Sequence, residues 1–262
     1  MSVAAGRSFL FVPGHRPDRF VKAAAAGCDA VVLDLEDAVA PDHKAEAREH
    51  VRAWLSAGNR AVVRVNGAGT PWFDDDLAAV AGRAVAVMVP KAEDRATLEA
   101  VGAPVIPLVE TALGVANAVA LCSAEPVVRP AFGSVDLAAQ LGVDHRSVEA
   151  LRHARSALVL AAAAAGRSAP IDGVTTALDD DAALRSDLAH AIELGFTAKL
   201  CIHPRQVGPV HEAFAPAEAD LQWARDVLAA AADRSVTVHN GQMVDRPVLL
   251  RAQAILERAR QA

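Results

Sequence analysis

Short apolar runs alternate with longer, alanine-rich amphipathic stretches eight times between residues 9 and 202, and this rhythm constrains the fold more than any single motif. The runs cover 9–12, 30–35, 61–65, 84–89, 105–109, 128–132, a weak 170–171, and 198–202. Helical patterns fill the gaps, among them 16–26, 43–57, 94–101, 113–122, 147–165 and 180–194. Gly27, Gly58, Gly102, Gly166 and Gly195 stand at or just past helix ends, where a left-handed cap is wanted. Strand and helix in strict alternation predict a parallel sheet, and eight repeats match a closed (β/α)8 TIM barrel better than an open doubly wound sheet. No GxGxxG follows the first run, which removes the main support for a dinucleotide-binding sheet.

After Pro204 the pattern becomes helical, with helices predicted over 217–232 and 248–259 around an insert at 236–247. No internal repeat, low-complexity linker or Pro/Ser-rich hinge interrupts the chain. The expectation is one α/β domain over 1–262, with a barrel over about 7–215 and extra C-terminal helices over about 216–262.

At 53% hydrophobic, the 262 residues suffice for a large core. A net charge of −6 with interspersed signs leaves no basic footprint for nucleic acid or an anionic membrane. The most apolar helix, flanked by Arg155 and Arg167, falls well short of the roughly 20 residues a membrane span requires. Cys28, Cys122 and Cys201 lie far apart in apolar settings and read as small buried hydrophobes. The absence of a long apolar N-terminal segment completes the expectation of a cytoplasmic protein.

A barrel of this kind places its chemistry at the carboxyl ends of the strands. The run Val31-Val32-Leu33 passes without a turn residue into Asp34-Leu35-Glu36-Asp37, and nearly every other run also ends in a polar or ionisable group. Glu110 and Asp136 follow neighbouring strands, and each has a plainer reading, Glu110 as a helix N-terminal acid and Asp136 as an N-cap. Together they present two carboxylates to one mouth. With water and substrate oxygens completing an octahedron they suit Mg²⁺, whereas the lack of a His/Cys cluster disfavours zinc.

Glu36 and Asp37 read either as supports for metal-bound water or as a helix-start pair. Arg64, the only cation within its strand, reads as the partner of a substrate anion or of an internal acid, Glu36 or Asp37. Lys91 and Lys199 raise a Schiff-base mechanism, which the surrounding acids oppose by keeping a lysine charged. Asp74-Asp75-Asp76 and Asp179-Asp180-Asp181 read as helix starts. His203 before Pro204 is read as a ligand contact or a loop hydrogen bond, whereas His145, His153, His190 and His211 carry no signal.

Taken together, these strand ends resemble the citrate lyase β-subunit-like branch of the HpcH/HpaI aldolase superfamily. The resemblance rests on Arg7-Ser8-Phe9-Leu10-Phe11-Val12-Pro13-Gly14, Leu33-Asp34-Leu35-Glu36-Asp37-Ala38-Val39, Arg64-Val65-Asn66-Gly67, Pro90-Lys91-Ala92-Glu93, Val109-Glu110-Thr111-Ala112-Leu113-Gly114, Phe132-Gly133-Ser134-Val135-Asp136-Leu137 and the stretch 195–204 ending in His203-Pro204. It covers almost the whole chain, in order. His15, Gln140 and the lack of an aromatic residue near 171–177 depart from the pattern.

The resemblance implies a Mg²⁺-dependent lyase cleaving a 3-hydroxyacyl-CoA of citramalyl-CoA, malyl-CoA or 3-hydroxy-3-methylglutaryl-CoA type to a keto acid and acetyl-CoA or a related acyl-CoA. In that frame Glu110 and Asp136 are the metal ligands, with Glu36 and Asp37 as their hydrogen-bonded support. Arg64 is the partner of substrate charge, and Arg16, Asn66, Lys91, His203 and Pro204 contact substrate or CoA. Asp245, whose plainer reading is a helix N-terminal acid, is the carboxylate supplied to a neighbouring subunit. The implied assembly is a homo-oligomer, with a trimer as the expected form. Two alternatives stand beside it: a citrate lyase β subunit acting on an acyl-carrier-protein thioester, and a non-catalytic barrel that binds acyl-CoA or keto acid.

Overall fold

The computed structural model describes residues 2–230, 237–239 and 242–261. Eight parallel strands close into a barrel in sequence order: β1 (Ser8–Pro13), β2 (Ala30–Asp34), β3 (Val62–Arg64), β4 (Ala86–Val89), β5 (Val105–Val109), β6 (Ala131–Phe132), β7 (Ile171–Asp172) and β8 (Ala198–Cys201). Closure comes from β8 against β1, with Ser8, Phe9 and Leu10 paired to Lys199, Leu200 and Cys201. The eightfold alternation predicted from the sequence is the fold observed.

Alternate residues along the strands fill the interior. Ala30 and Val32, Val62, Ala86 and Met88, Ile106 and Leu108, and Ala198 and Leu200 share one buried cluster with Phe9. Continuing the two-residue period carries Asp34, Arg64 and Glu110 to the same interior side at the carboxyl end. Lys199 and Asp172 have the opposite parity to Leu200 and Ile171. They face the helical layer, where Arg155 of helix Val148–Ala164 meets Asp172.

Some elements are shorter than their patterns. The sixth run, predicted over 128–132, pairs as a strand only at Ala131–Phe132, because Pro130 has no N–H to give to the ladder. The helix predicted over 113–122 divides into Ala112–Ala116 and Ala118–Cys122 at Asn117, whose side-chain amide donates to the Glu93 carbonyl at 2.9 Å. In the stretch predicted helical over 16–26, Pro17–Arg19 forms a single tight turn ahead of helix Phe20–Ala24. All five predicted capping glycines have positive φ; Gly195, with φ of 103°, ends helix Asp181–Leu194. Asp180 starts that helix by accepting from the Ala182 and Ala183 N–H groups at 3.0 and 2.9 Å.

Two polar groups that the sequence left silent hold the amino end of the barrel. Fully buried Arg129 donates to the carbonyls of Gly6 and Ala169, both at 2.8 Å, and to Thr197 Oγ1 at 2.7 Å, with burial pushing its guanidinium down to about 9. His211 was expected to carry no signal, yet its Nε2 lies 2.7 Å from Ser8 Oγ and 3.2 Å from Asp29. Cys122 and Cys201 are buried and Cys28 is half-buried, and none is in a disulfide.

The chain forms two compact units, residues 1–211 and 212–262. In the second, helices Glu218–Ala230 and Arg246–Gln261 enclose Ala224, Val227, Val244, Ala252 and Ile255. Strands β9 (Thr237–His239) and β10 (Gln242–Val244) pair antiparallel there. Among the described residues, no helix is long and apolar enough to cross a membrane.

Candidate active site

β2 and β3 pair with Asp34 directly opposite Arg64. Nε and Nη2 of Arg64 donate to the two Asp34 oxygens at 2.7 and 2.6 Å, a bidentate fork, and Nη1 lies 3.0 Å from Glu36 Oε2. The Phe11 ring lies beneath the guanidinium at 4.8 Å. Asp34 also accepts from the Glu36 and Ala38 N–H groups at 2.9 and 3.2 Å, fixing the turn that presents Glu36. The sequence expectation for Arg64 named Glu36 or Asp37 as its internal partner. The structure gives Asp34 that place first, because parallel register sets the two side chains side by side on the interior face.

Glu110 continues the interior face of β5 and is buried. Its Oε1 accepts from the Lys91 N–H at 2.9 Å. A Cβ at Gly133 would overlap the Glu110 side chain, so the glycine after β6 makes the space in which this carboxylate sits. Asp136 lies in the first turn of helix Ser134–Leu141, whose N-cap is Gly133 and takes no side-chain cap hydrogen bond, so the N-cap reading of Asp136 is not the geometry observed. Lys91 projects its ammonium onto Glu36 Oε1, with Asp37 at 3.8 Å and Asp136 at 3.9 Å.

The charges of the mouth follow from this crowding. Burial, with Asp136 and Glu36 close by, pushes the Glu110 carboxyl up to about 8. Burial also raises Glu36, although Arg64 and Lys91 oppose it. Burial works against the charged form of Lys91, but Glu36 and Glu110 outweigh it and the net shift is upward, so the lysine stays an ammonium. A buried carboxylate with acidic neighbours is stabilised by a nearby cation. Glu110 and Asp136 are hard oxygen donors, which suits an octahedral dication that keeps several waters. Among the described residues no group of three or more His, Cys, Asp or Glu forms a complete metal cage.

Beside this cluster, a cavity of about 710 Å³ opens along the ends of β8, β1 and β2. Arg16, Arg19, Lys22 and His203 line it together with Pro13, Ile202 and Pro204. Arg16 forks onto Asp18 at 2.9 and 2.8 Å. His203 Nδ1 accepts from the Arg205 N–H at 3.2 Å and caps the turn Pro204–Gln206, so the loop-bond reading of this histidine is the geometry observed. The sequence reading had not singled out Arg19 or Lys22; their spacing from Arg16 on one short helical segment was the signal available.

Other expected site residues have internal partners. Asn66 is buried, and its amide donates to Asp76 Oδ2 at 2.6 Å. Asp76, expected only to start a helix, also takes the Asn66 N–H at 3.0 Å and Arg48 Nε at 2.7 Å. Asp37 is exposed at the rim. Lys199 donates to Asp172 Oδ2 at 3.0 Å and to the Gly173 carbonyl at 2.8 Å on the outer side of the sheet, away from any Schiff-base position. Gln140, one of the departures from the family pattern, accepts from the Ala112 N–H at 2.7 Å, and so ties Asp136's helix to the segment after Glu110. In the second unit, Asp245 stands at the start of helix Arg246–Gln261, its Oδ1 3.5 Å from the Val248 N–H.

The pattern of HpcH/HpaI aldolase/citrate lyase matches residues 7–106 and 102–204, which include every barrel strand. The chain belongs to that family. Within the aldolase/citrate lyase family it is 43% identical to the citrate lyase subunit beta-like protein of Mycobacterium tuberculosis, over 99% of this chain and 97% of that one. The (3S)-malyl-CoA thioesterase of Cereibacter sphaeroides is 34% identical over 97% and 94% of the two chains. The crystal structure of CitE from M. tuberculosis with magnesium, acetoacetate and coenzyme A superposes with a TM-score of 0.86, at 42% identity over 98% of each chain.

Proposed function

We propose that this chain is a cytoplasmic, Mg²⁺-dependent carbon–carbon lyase that splits a 3-hydroxyacyl-CoA into a keto acid and acetyl-CoA or a related acyl-CoA. The observation that carries the reading is the pairing of Glu110 and Asp136 at a barrel mouth that adjoins a cavity lined by Arg16, Arg19 and Lys22. A CoA thioester is long, with an anionic far end and its reacting carbons at the other, and this mouth offers cations and paired carboxylates in that relation. The similarity to CitE, crystallised with magnesium, acetoacetate and coenzyme A, supports the same assignment.

Glu110 and Asp136 would hold the metal, which when bound supplies a Lewis acid for the substrate's oxygens. Glu36, buried between Arg64 and Lys91, and Asp37 at the rim would orient the water around it. Arg64, fixed by Asp34 from one side, keeps a permanent positive charge at the floor of the mouth for the oxygen on which charge develops. As the carbon–carbon bond breaks, the substrate's hydroxyl gives up its proton to solvent and becomes the keto acid's carbonyl, and the bonding electrons are left as an enolate on the shorter thioester. We assign Asp245, brought by a neighbouring copy, to protonate the enolate carbon, and in the reverse condensation to remove that proton. That assignment requires a homo-oligomer, with a trimer as the expected form.

The test is to incubate the purified protein with Mg²⁺ and (3S)-malyl-CoA, citramalyl-CoA or 3-hydroxy-3-methylglutaryl-CoA and to separate the products. Acetyl-CoA with glyoxylate, pyruvate or acetoacetate establishes the lyase. Free CoA with an intact hydroxy acid would make the protein a thioesterase instead. Turnover only of an acyl-carrier-protein thioester would make it a citrate lyase subunit, and saturable binding without turnover would make it a binding barrel.

A further inference from the structure

Lys91 is the only residue other than glycine with positive φ among the described residues, at 49°. L side chains rarely adopt that conformation, and it persists only where the surroundings enforce it. Here they do. The Lys91 N–H is held by Glu110 Oε1 at 2.9 Å, the Ala92 N–H by the Leu108 carbonyl at 3.2 Å, and the Glu93 carbonyl by the Asn117 side chain at 2.9 Å. A Cβ at Gly114 would come within 2.5 Å of the Ala92 carbonyl, so that glycine allows the next segment to close against the loop. The turn between β4 and helix Arg95–Glu99 is thus clamped to the end of β5. Its strained residue aims an ammonium at Glu36, Asp37 and Asp136 while its backbone holds Glu110.

We infer that Lys91 is a built-in counter-cation of the carboxylate cluster, holding the acids together in the metal-free protein and competing with the divalent ion for them, so that it weakens metal binding while it stabilises the metal-free fold. The inference rests on the proposed metal site. It replaces the expectation that Lys91 binds substrate with a role toward the acids themselves. The two effects oppose each other: deleting the ammonium removes a favourable partner from the metal-free protein and a repulsive neighbour from the bound dication.

The experiment measures Mg²⁺ affinity by titration calorimetry, and thermal midpoints with and without Mg²⁺, for the full-length protein and for Lys91→Met, Lys91→Gly and Lys91→Arg. Lys91→Met is expected to bind Mg²⁺ at least about tenfold more tightly, a modest change for a unit charge a few ångströms from a dication. Its metal-free midpoint should fall while the rise on adding Mg²⁺ grows. Lys91→Gly keeps the N–H to Glu110 and relaxes φ, and it should tighten binding as Lys91→Met does; Lys91→Arg should stay near the wild type. Equal or weaker Mg²⁺ affinity in Lys91→Met overturns the inference, as does a lower midpoint with an unchanged Mg²⁺ increment, which a merely structural lysine would give. A raised KM for the thioester at unchanged Mg²⁺ affinity would return Lys91 to substrate binding. Absence of Mg²⁺ binding by the wild type would defeat the metal site and this inference together, an outcome distinct from equal affinity in wild type and variant.

Discussion

Asp34 and Arg64 face each other across β2 and β3 in a two-point ion pair at 2.7 and 2.6 Å, and the aspartate is almost wholly buried. The pair forms the floor of the mouth, since Asp34 also fixes the turn that carries Glu36. Asp34→Ala leaves a guanidinium 12% exposed with its principal partner gone. Breaking a buried pair from one side costs about 3–5 kcal/mol. Urea unfolding of Asp34→Ala should show a loss of that order. A loss under 1 kcal/mol would mean that Glu36 takes over the arginine without strain.

Gly133→Ala tests whether space for Glu110 is what the site requires. The backbone φ of −102° at Gly133 suits alanine, so the cost arises from the Cβ meeting the Glu110 carboxylate. Mg²⁺ affinity and kcat/KM are each expected to fall by roughly tenfold or more, from displacement of a ligand by a few tenths of an ångström or more. Unchanged Mg²⁺ affinity would count against Glu110 as a ligand.

Acid should unlock the outer layer at β7 and β8. Burial alone would raise Asp172, but Lys199 and Arg155 outweigh it and hold its carboxyl below the ordinary value of 3.8. A carboxylate depressed in the folded state stabilises fully above its unfolded pKa and loses that contribution as pH falls through the folded pKa. The gap in thermal midpoint between wild type and Asp172→Asn should therefore be constant from about pH 5 to 7 and shrink below about pH 4. A gap that widens in acid would show that the pairing has the opposite sign.

The barrel was legible because most strands lie in short, largely apolar runs, such as Ala30–Asp34 and Val105–Val109, and most of the connections between them carry helical spacing. The acids of the mouth were legible as strand ends. Their pairing was not: Asp34 meets Arg64 through parallel register, which lies 30 residues away in the chain and in no local pattern. Parity would have sorted more of them. Arg64 has the phase of Val62 and points inward, whereas Lys199 lies between Ala198 and Leu200 and points outward, which removes Lys199 from the Schiff-base reading by counting alone. Arg129 and the left-handed turn at Lys91 had no signal of that kind, since what stabilises them is carbonyls and carboxylates from distant segments.

Asp245 and Glu110 allow a test of whether one site is built from two copies of the chain. On the proposed roles, Asp245→Asn is expected to abolish cleavage while Mg²⁺ affinity stays intact. Glu110→Ala is expected to lose both. Each variant alone should be inactive, one for want of a proton donor and the other for want of a metal ligand. When the two are co-expressed at equal levels and assemble at random, a site combining an intact barrel from one chain with an intact Asp245 from its neighbour forms about one time in four. Activity should then return to roughly a quarter of the wild type, measured as acetyl-CoA released per mole of protein. No recovery, with mixed oligomers confirmed by mass, would place Asp245 in the mouth of its own chain or outside the reaction.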